Sequence, residues 1–406
     1  MRIPKQQVRP EDALAAWDGV QHSAASARVI VKCKLMTPMY GGGVEPGKVD
    51  CAMPIRPSAI RGQLRFWWRL LNGAGRTSKD LFAAESDLWG GIASAGPRAS
   101  RVALHVDAEP IGAERMVEWG ADGLDAPRYS LILEPRHKPA LLNAGYEFTL
   151  TLRFADGTTG DECEQVIEAL RWWASFGGVG ARTRRGLGAV EVTSADIALA
   201  PVPRQDVESR GGRMELRQAS RNAIAAWRNA VGALSDFRQG PNLGRNRGRG
   251  SRPGRSRWPE PDAIRRHRHR SAPGHQPEHP VDGQYPRAAF GLPIVFHFKD
   301  RKDPPDANLG PCKGDRMASP LILRPYFDGK RYRPLAFLLP GWAESVSVAV
   351  SFGSEHLGPA WPEDSGKRSE LAERVPPMQS RGPDALTAFL HYFEHPTPPG
   401  RGHGAR

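Results

Sequence analysis

Nine residues, YEFTLTLRF (Tyr146–Phe154), alternate without a break. Tyr146, Phe148, Leu150, Leu152 and Phe154 fall on one side, Glu147, Thr149, Thr151 and Arg153 on the other. Side chains of a strand point alternately to its two faces, so this stretch reads as a half-buried strand. ARVIVKCKLM (Ala27–Met36) alternates in the same way, with Val29, Val31, Cys33 and Leu35 opposite Lys32 and Lys34. Val102, Leu104 and Val106 make a third strand and Leu187–Val192 a fourth. Helical spacing puts Ile60, Leu64, Trp67, Trp68 and Leu71 on one face of a helix capped by Ser58 and closed by Asn72-Gly73. Asp161 caps a second helix running to about Ser175. The order is β-α-β-β-α-β, the split ferredoxin-like arrangement shared with RNA-recognition domains. The long connection at 108–145 is expected to hold an inserted small sheet, with RYSLIL (Arg128–Leu133) as one piece.

The 406 residues suffice for two domains, and the net charge of +13 favours a polyanionic partner. Cys33, Cys51, Cys163 and Cys312 show no C-x-x-C spacing, as expected of reduced thiols in a cytoplasmic protein. No signal peptide and no membrane span is read.

Between the second helix and the fourth strand lies GGVGARTRRGLGAV (Gly177–Val190), with five of its first twelve residues glycine and arginines at 182, 184 and 185. A dinucleotide fingerprint follows a strand and opens a helix; this loop follows a helix, whose dipole presents its negative end. Two readings fit. Either Arg182, Arg184 and Arg185 attract a sugar-phosphate backbone while Gly178 and Gly180 permit close approach, or the loop is a flexible connection with solubilising arginines. On the first helix Arg61, Arg65 and Arg69 recur every fourth residue with no acid in that helix, a candidate phosphate track. Phe66 and Leu70, and Trp172 on the second helix, lie off the core face. They suggest a partner surface or a covering insert.

The second half reads less clearly. A helix is expected over about Met214–Phe237, strands at Leu292–Phe298, Pro320–Leu323 and Val346–Phe352, and a helix at Asp384–Phe393. Residues 238–270 carry eleven arginines against Glu260 and Asp262 alone. A tract of that composition is expected to be mobile until it orders on RNA. Within it Trp258 either stacks on a base or anchors the loop.

TPMYGGG, IRPSAIRGQLRFWWRLL (with Arg56 at its start) and FGGVGARTRRGLG resemble the RAMP superfamily of CRISPR effector proteins. SRWPEPDAIRR, AFGLPIVFHF and RMASPLILRP are similar to the large two-domain RAMP subunit at the head of type III-B (Cmr) complexes. The resemblance implies an α+β fold of two ferredoxin-like (RRM-like, βαββαβ) domains with insertions. Its expected parts are an extension at 1–26, a first domain at 27–198 and a second at 199–395 with an Arg/Gly-rich segment at 238–280. A disordered tail follows at 396–406. It also implies a non-catalytic subunit for antiviral defence, placed near the guide RNA 3′ end, helping capture target RNA. Its partners would be guide crRNA, target RNA and other RAMP subunits, with no cofactor. RNA contacts are expected from Arg56, Arg61, Arg65, Arg69, Gly178, Gly180, Arg182, Arg184, Arg185, Arg255, Arg257 and Trp258.

The alternative is a metal-independent RAMP endoribonuclease that processes guide precursors. It would need a positioned acid and base, for which His22, His105, His137 and Tyr40 are candidates. No spacing locks two of them together, so no catalytic residue is assigned. His267, His269, His275 and His279 lack carboxylate or cysteine company in sequence, and no metal site is assigned either.

Overall fold

The computed structural model describes residues 28–396, apart from 94–95, 122–123, 125, 132–136 and 248–251. The expected N-terminal extension, and all of the expected tail but residue 396, lie outside the described residues. Strand β1 (Arg28–Leu35) buries Val29, Val31, Cys33 and Leu35, as its alternation requires. Helix α1 (Pro57–Asn72) follows, but Arg56 is its N-cap, not Ser58. Pro57 at the first helical position has no N–H to satisfy and holds φ ready for the helix. Helix α2 (Ser78–Trp89) and a hairpin, β2 (Gly91–Ala93) and β3 (Gly96–Arg98), come next. This helix is not among those expected from the sequence; Thr77 caps it, its hydroxyl accepting the Asp80 N–H.

β4 (Val102–Asp107), a two-stranded insert of β5 (Met116–Glu118) and β6 (Ala140–Leu142), β7 (Glu147–Phe154), α3 (Gly160–Phe176) and β8 (Val190–Ala195) complete the first half. The insert does hold a small sheet, but RYSLIL opens with a 3-10 turn at Arg128–Ser130, and Ile132 and Leu133 lie outside the described residues. α3 starts from a reciprocal capping box between Thr159 and Glu162, two residues ahead of Asp161. The sheet order is β4-β7-β1-β8, all antiparallel, the ferredoxin-like arrangement.

The second half contains α4 (Arg204–Ser209), β9 (Arg213–Leu216), α5 (Ala223–Gln239), α6 (Glu260–His267), β10 (Ile294–Phe296), β11 (Ala307–Pro311), β12 (Leu321–Phe327), β13 (Tyr332–Leu338), β14 (Ala349–Phe352), β15 (Glu355–Pro359), α7 (Ser365–Glu373) and α8 (Ala385–Glu394). The expected helix from Met214 divides: Met214 and Leu216 belong to β9, and Asn222 caps α5 through the Ala225 N–H. β9-α5-β12-β13-α8 repeats five of the six ferredoxin-like elements, in sheet order β12-β13-β9; no strand pairs with the other edge of β9 among the described residues. β10-β11-β14-β15 form a separate antiparallel sheet.

The two halves share a core. β12 (LILRPYF) shows no polar alternation because both of its faces are covered, and a strand buried on both faces loses its period-two signal. Ile322, Tyr326, Leu335 and Phe337 join the cluster of α1, α3 and the first sheet. Leu321, Leu323, Ala336 and Leu338 join the cluster of α5 and α8. The layers therefore run sheet, helices, sheet, helices. Phe337 stacks on Phe176 with centroids 4.3 Å apart and lies 6.2 Å from Trp172 and 6.3 Å from Trp67. This overturns the partner-surface reading of Trp172, which the second half covers completely.

At the same seam sits Arg324, 1% exposed, whose guanidinium donates to the carbonyls of Val190 (2.7 Å), Pro325 (2.9 Å) and Gly177. Burial pushes it down to about 9, Tyr326 and Glu191 opposing, so it stays charged at neutral pH. Phe337→Ala is expected to cost about 3–5 kcal/mol and to lower one cooperative unfolding transition of both halves. A biphasic denaturant curve with an unshifted first phase would separate the two cores.

Candidate nucleic-acid interface

Two glycine-rich loops meet on one side of the seam. One follows β1 and contains Tyr40–Gly43; the other joins α3 to β8. The Ala181 N–H donates to the Tyr40 carbonyl at 2.7 Å and the Gly188 N–H to the Pro38 carbonyl at 2.8 Å. A Cβ on Gly178 would stand 2.6 Å from the Gly188 carbonyl oxygen. One on Gly180, whose φ is +77°, would stand 2.6 Å from Met39 Cγ. The close approach that Gly178 and Gly180 allow is therefore to the chain's own backbone, a correction to their reading as phosphate-approach positions. Gly180→Ala combines that overlap with a left-handed φ and is expected to destabilise the chain by about 1–3 kcal/mol in thermal unfolding.

Two of the loop's three arginines turn inward. The Arg185 guanidinium donates to the Leu321 carbonyl at 3.0 Å, and its own carbonyl accepts from Trp227 Nε1 at 2.7 Å. Burial, with Arg238 adding repulsion, pushes it down to about 10. Arg184 donates to the Ser319 carbonyl and lies over the Phe66 ring at 5.8 Å, which also accounts for half-buried Phe66. These two fix the loop to β12 and are corrected from RNA contacts to seam contacts. Arg182 differs: it is exposed, takes φ +62°, and has no side-chain partner among the described residues. Arg56 donates to the Gly43 carbonyl at 2.8 Å and so holds the other glycine loop. In the loop after β1, exposed Lys48 pairs with Glu45 at 2.5 Å, and exposed Arg316 lies three residues before Ser319.

The stripe on α1 is engaged within the fold. Arg65 Nε pairs at 2.6 Å with Glu85 of α2, Arg69 pairs with the same carboxylate, and Arg61 donates to the Trp89 carbonyl. Glu85 is 3% exposed, and the two forks compensate its burial. The acid sought within the helix is supplied by its neighbour.

The arginine tract is also folded where described. Trp258 is buried, edge-on to Phe237 at 5.4 Å, with Nε1 donating to the Arg238 carbonyl. It is an anchor, with no face open to a base. Arg255 donates both bonds of 2.9 Å to Asp262, and Arg257 donates to the Asn242 carbonyl. Asp262 also accepts from Arg265 and from the N–H groups of Glu278 and His279. Asp303 accepts from Arg265, the Ala272 N–H and His275. So Arg255, Arg257 and Trp258 are structural, and the partners that order the tract include Asp303, far along the chain.

Burial alone would raise both carboxyls, but these donors hold Asp303 well below the usual range and Asp262 below it too. A carboxyl depressed by folding stabilises the native state above its unfolded pKa of about 4, and that contribution fades as pH falls further. Asp303→Asn is expected to flatten the loss of stability between pH 5 and pH 2, read by denaturant midpoints. An unchanged slope would remove Asp303 from the acid response.

Of the acid–base candidates, His22 lies outside the described residues, His105 and His137 are exposed, and Tyr40 is half-buried beside Gly47. No hydrogen bond links them among the described residues. His267 pairs with Glu355 at 3.0 Å, and no cluster of three metal-type ligands occurs among the described residues. No described helix is long and apolar enough to cross a membrane.

Residues 32–191 match the family model of the RAMP superfamily. No curated protein matches the sequence. Among solved structures, the chain is similar to "Cmr1 from Pyrococcus furiosus (apo form)", with 14% identity, covering 82% of this chain and 99% of that one, at TM-score 0.44. It is similar to a chain of the "Type III-B Cmr-beta bound to cognate target RNA", with 10% identity, 90% and 99% covered, at TM-score 0.45. A chain of a "Type IV-B CRISPR Complex" matches 44% of this chain and 96% of its own length, with 17% identity and TM-score 0.31.

Proposed function

We propose that the protein, whose residues 32–191 match the RAMP superfamily model, is a non-catalytic, RNA-binding subunit of a type III-B (Cmr) CRISPR interference ribonucleoprotein. It works in the cytoplasm, at the head of the complex near the guide RNA 3′ end, and helps capture target RNA beside other RAMP subunits. The observation that carries the reading is the paired glycine loops inside the family-matched segment. They form a rigid rim from which Arg182 alone, of that loop's three arginines, faces solvent. Lys48 and Arg316 add exposed charge from the loop after β1 and from the second half. A rim of backbone and exposed cations suits a sugar-phosphate strand, which it would position without reading bases.

In the assembled ribonucleoprotein, Arg182→Ala is expected to weaken target-RNA binding and to reduce the slope of log affinity against log salt by about one, with base preference unchanged. Arg184→Ala and Arg185→Ala should instead lower the unfolding temperature. An Arg182→Ala complex with the parental salt slope would overturn the rim assignment. Metal-independent cleavage of repeat RNA by the purified chain, lost in Tyr40→Phe, would overturn the non-catalytic reading.

A further inference from the structure

The first sheet is covered by helices on one side only, and its other face carries charge arranged in rows. Register places Arg28 opposite Arg153, and Arg153 opposite Ala103. The next row is Ile30, Thr151 and His105, with Asp196 beyond Ile30 accepting its N–H; the third is Ser194, Lys32, Thr149 and Asp107. The last row is matched: Lys34 lies between Glu147 and Glu191, 3.8 Å from the former, and Glu191 accepts from the Tyr332 hydroxyl. The first row is not matched. Arg28 and Arg153 are exposed, stand directly across from each other, and have no carboxylate partner among the described residues; neither has exposed Lys32. Like charges directly opposite in a sheet are destabilising, so this end holds an uncompensated repulsion.

We propose that this end of the open face is a second polyanion site, and that its occupant is the backbone of single-stranded RNA. The choice of RNA rests on the function proposed above; the charge argument does not. Arg28, Arg153 and Lys32 project from one rigid surface, with Arg28 and Lys32 about 13 Å apart at roughly 3.3 Å per residue. Thr151 and Thr149 lie between them and supply hydroxyls. In these three rows no Phe, Tyr or Trp faces outward, so bases have nothing to stack on. The contact is to phosphates and carries no sequence preference.

The test uses the full chain and a labelled 20-nucleotide oligouridine, titrated between 50 and 200 mM salt. The Arg28→Ala/Arg153→Ala variant is expected to bind several-fold more weakly, with a salt slope shallower by about two, and with no fall in unfolding temperature. A parental slope would overturn the site, and so would a loss confined to oligouridine with oligocytidine binding preserved. Arg182→Ala run beside it separates the two claims. If the rim reading fails, only the sheet variant responds; if the sheet site fails, only Arg182→Ala does. Polyaspartate of matched charge is the second probe: binding as tight as that of RNA, with the same dependence on Arg28 and Arg153, would overturn the commitment to nucleic acid.

Discussion

The stack of Phe337 on Phe176, with Trp67 and Trp172 around it, is the contact from which the architecture follows. It obliges α1 and α3 to be apolar on two sides, one for their own sheet and one for the sheet of the second half. It obliges β12 and β13 to be apolar on both faces. A helix pair alone on a sheet would leave Trp172 in water. Here the second sheet removes it, and the chain gains a core that neither half could complete.

A second consequence concerns the basic excess. Close packing of two halves leaves carbonyls at loop ends and strand ends without partners, and a buried carbonyl needs a donor. Arginine supplies several donors on a long arm and keeps its charge. Arg184, Arg185 and Arg324 act this way at the seam, and Arg217 does so toward Phe393 at 2.6 Å. Where carbonyls do not suffice, carboxylates from distant segments do: Glu85 for α1, Asp262 and Asp303 for the arginine tract. Much of the cationic content is thus internal scaffolding. The cations that remain outside, such as Arg182 and the Arg28–Arg153 pair, stand out because so many others are engaged.

The glycines follow the same logic. Gly180 and Gly188 let one backbone cross another at distances no Cβ would allow, so the two loops are held to each other by their own backbone.

The sequence by itself determined the β-α-β-β-α-β order of the first sheet and its two packed helices. Strict alternation at β1 and β7 and helical spacing on α1 and α3 are local signals, and one buried face is enough to generate them. It also located both glycine-rich loops and the anchoring role open to Trp258. What only the tertiary structure decided was which arginines remain free and where the second sheet lies. Glu85 and Asp303 reach their arginines from other elements, at separations that no local spacing encodes. Met214 and Leu216 kept a helical rhythm with α5 by coincidence and fold as a strand because β13 offers an edge. β13 itself gave no period, since burial of both faces erases the contrast between polar and apolar positions that makes a strand legible.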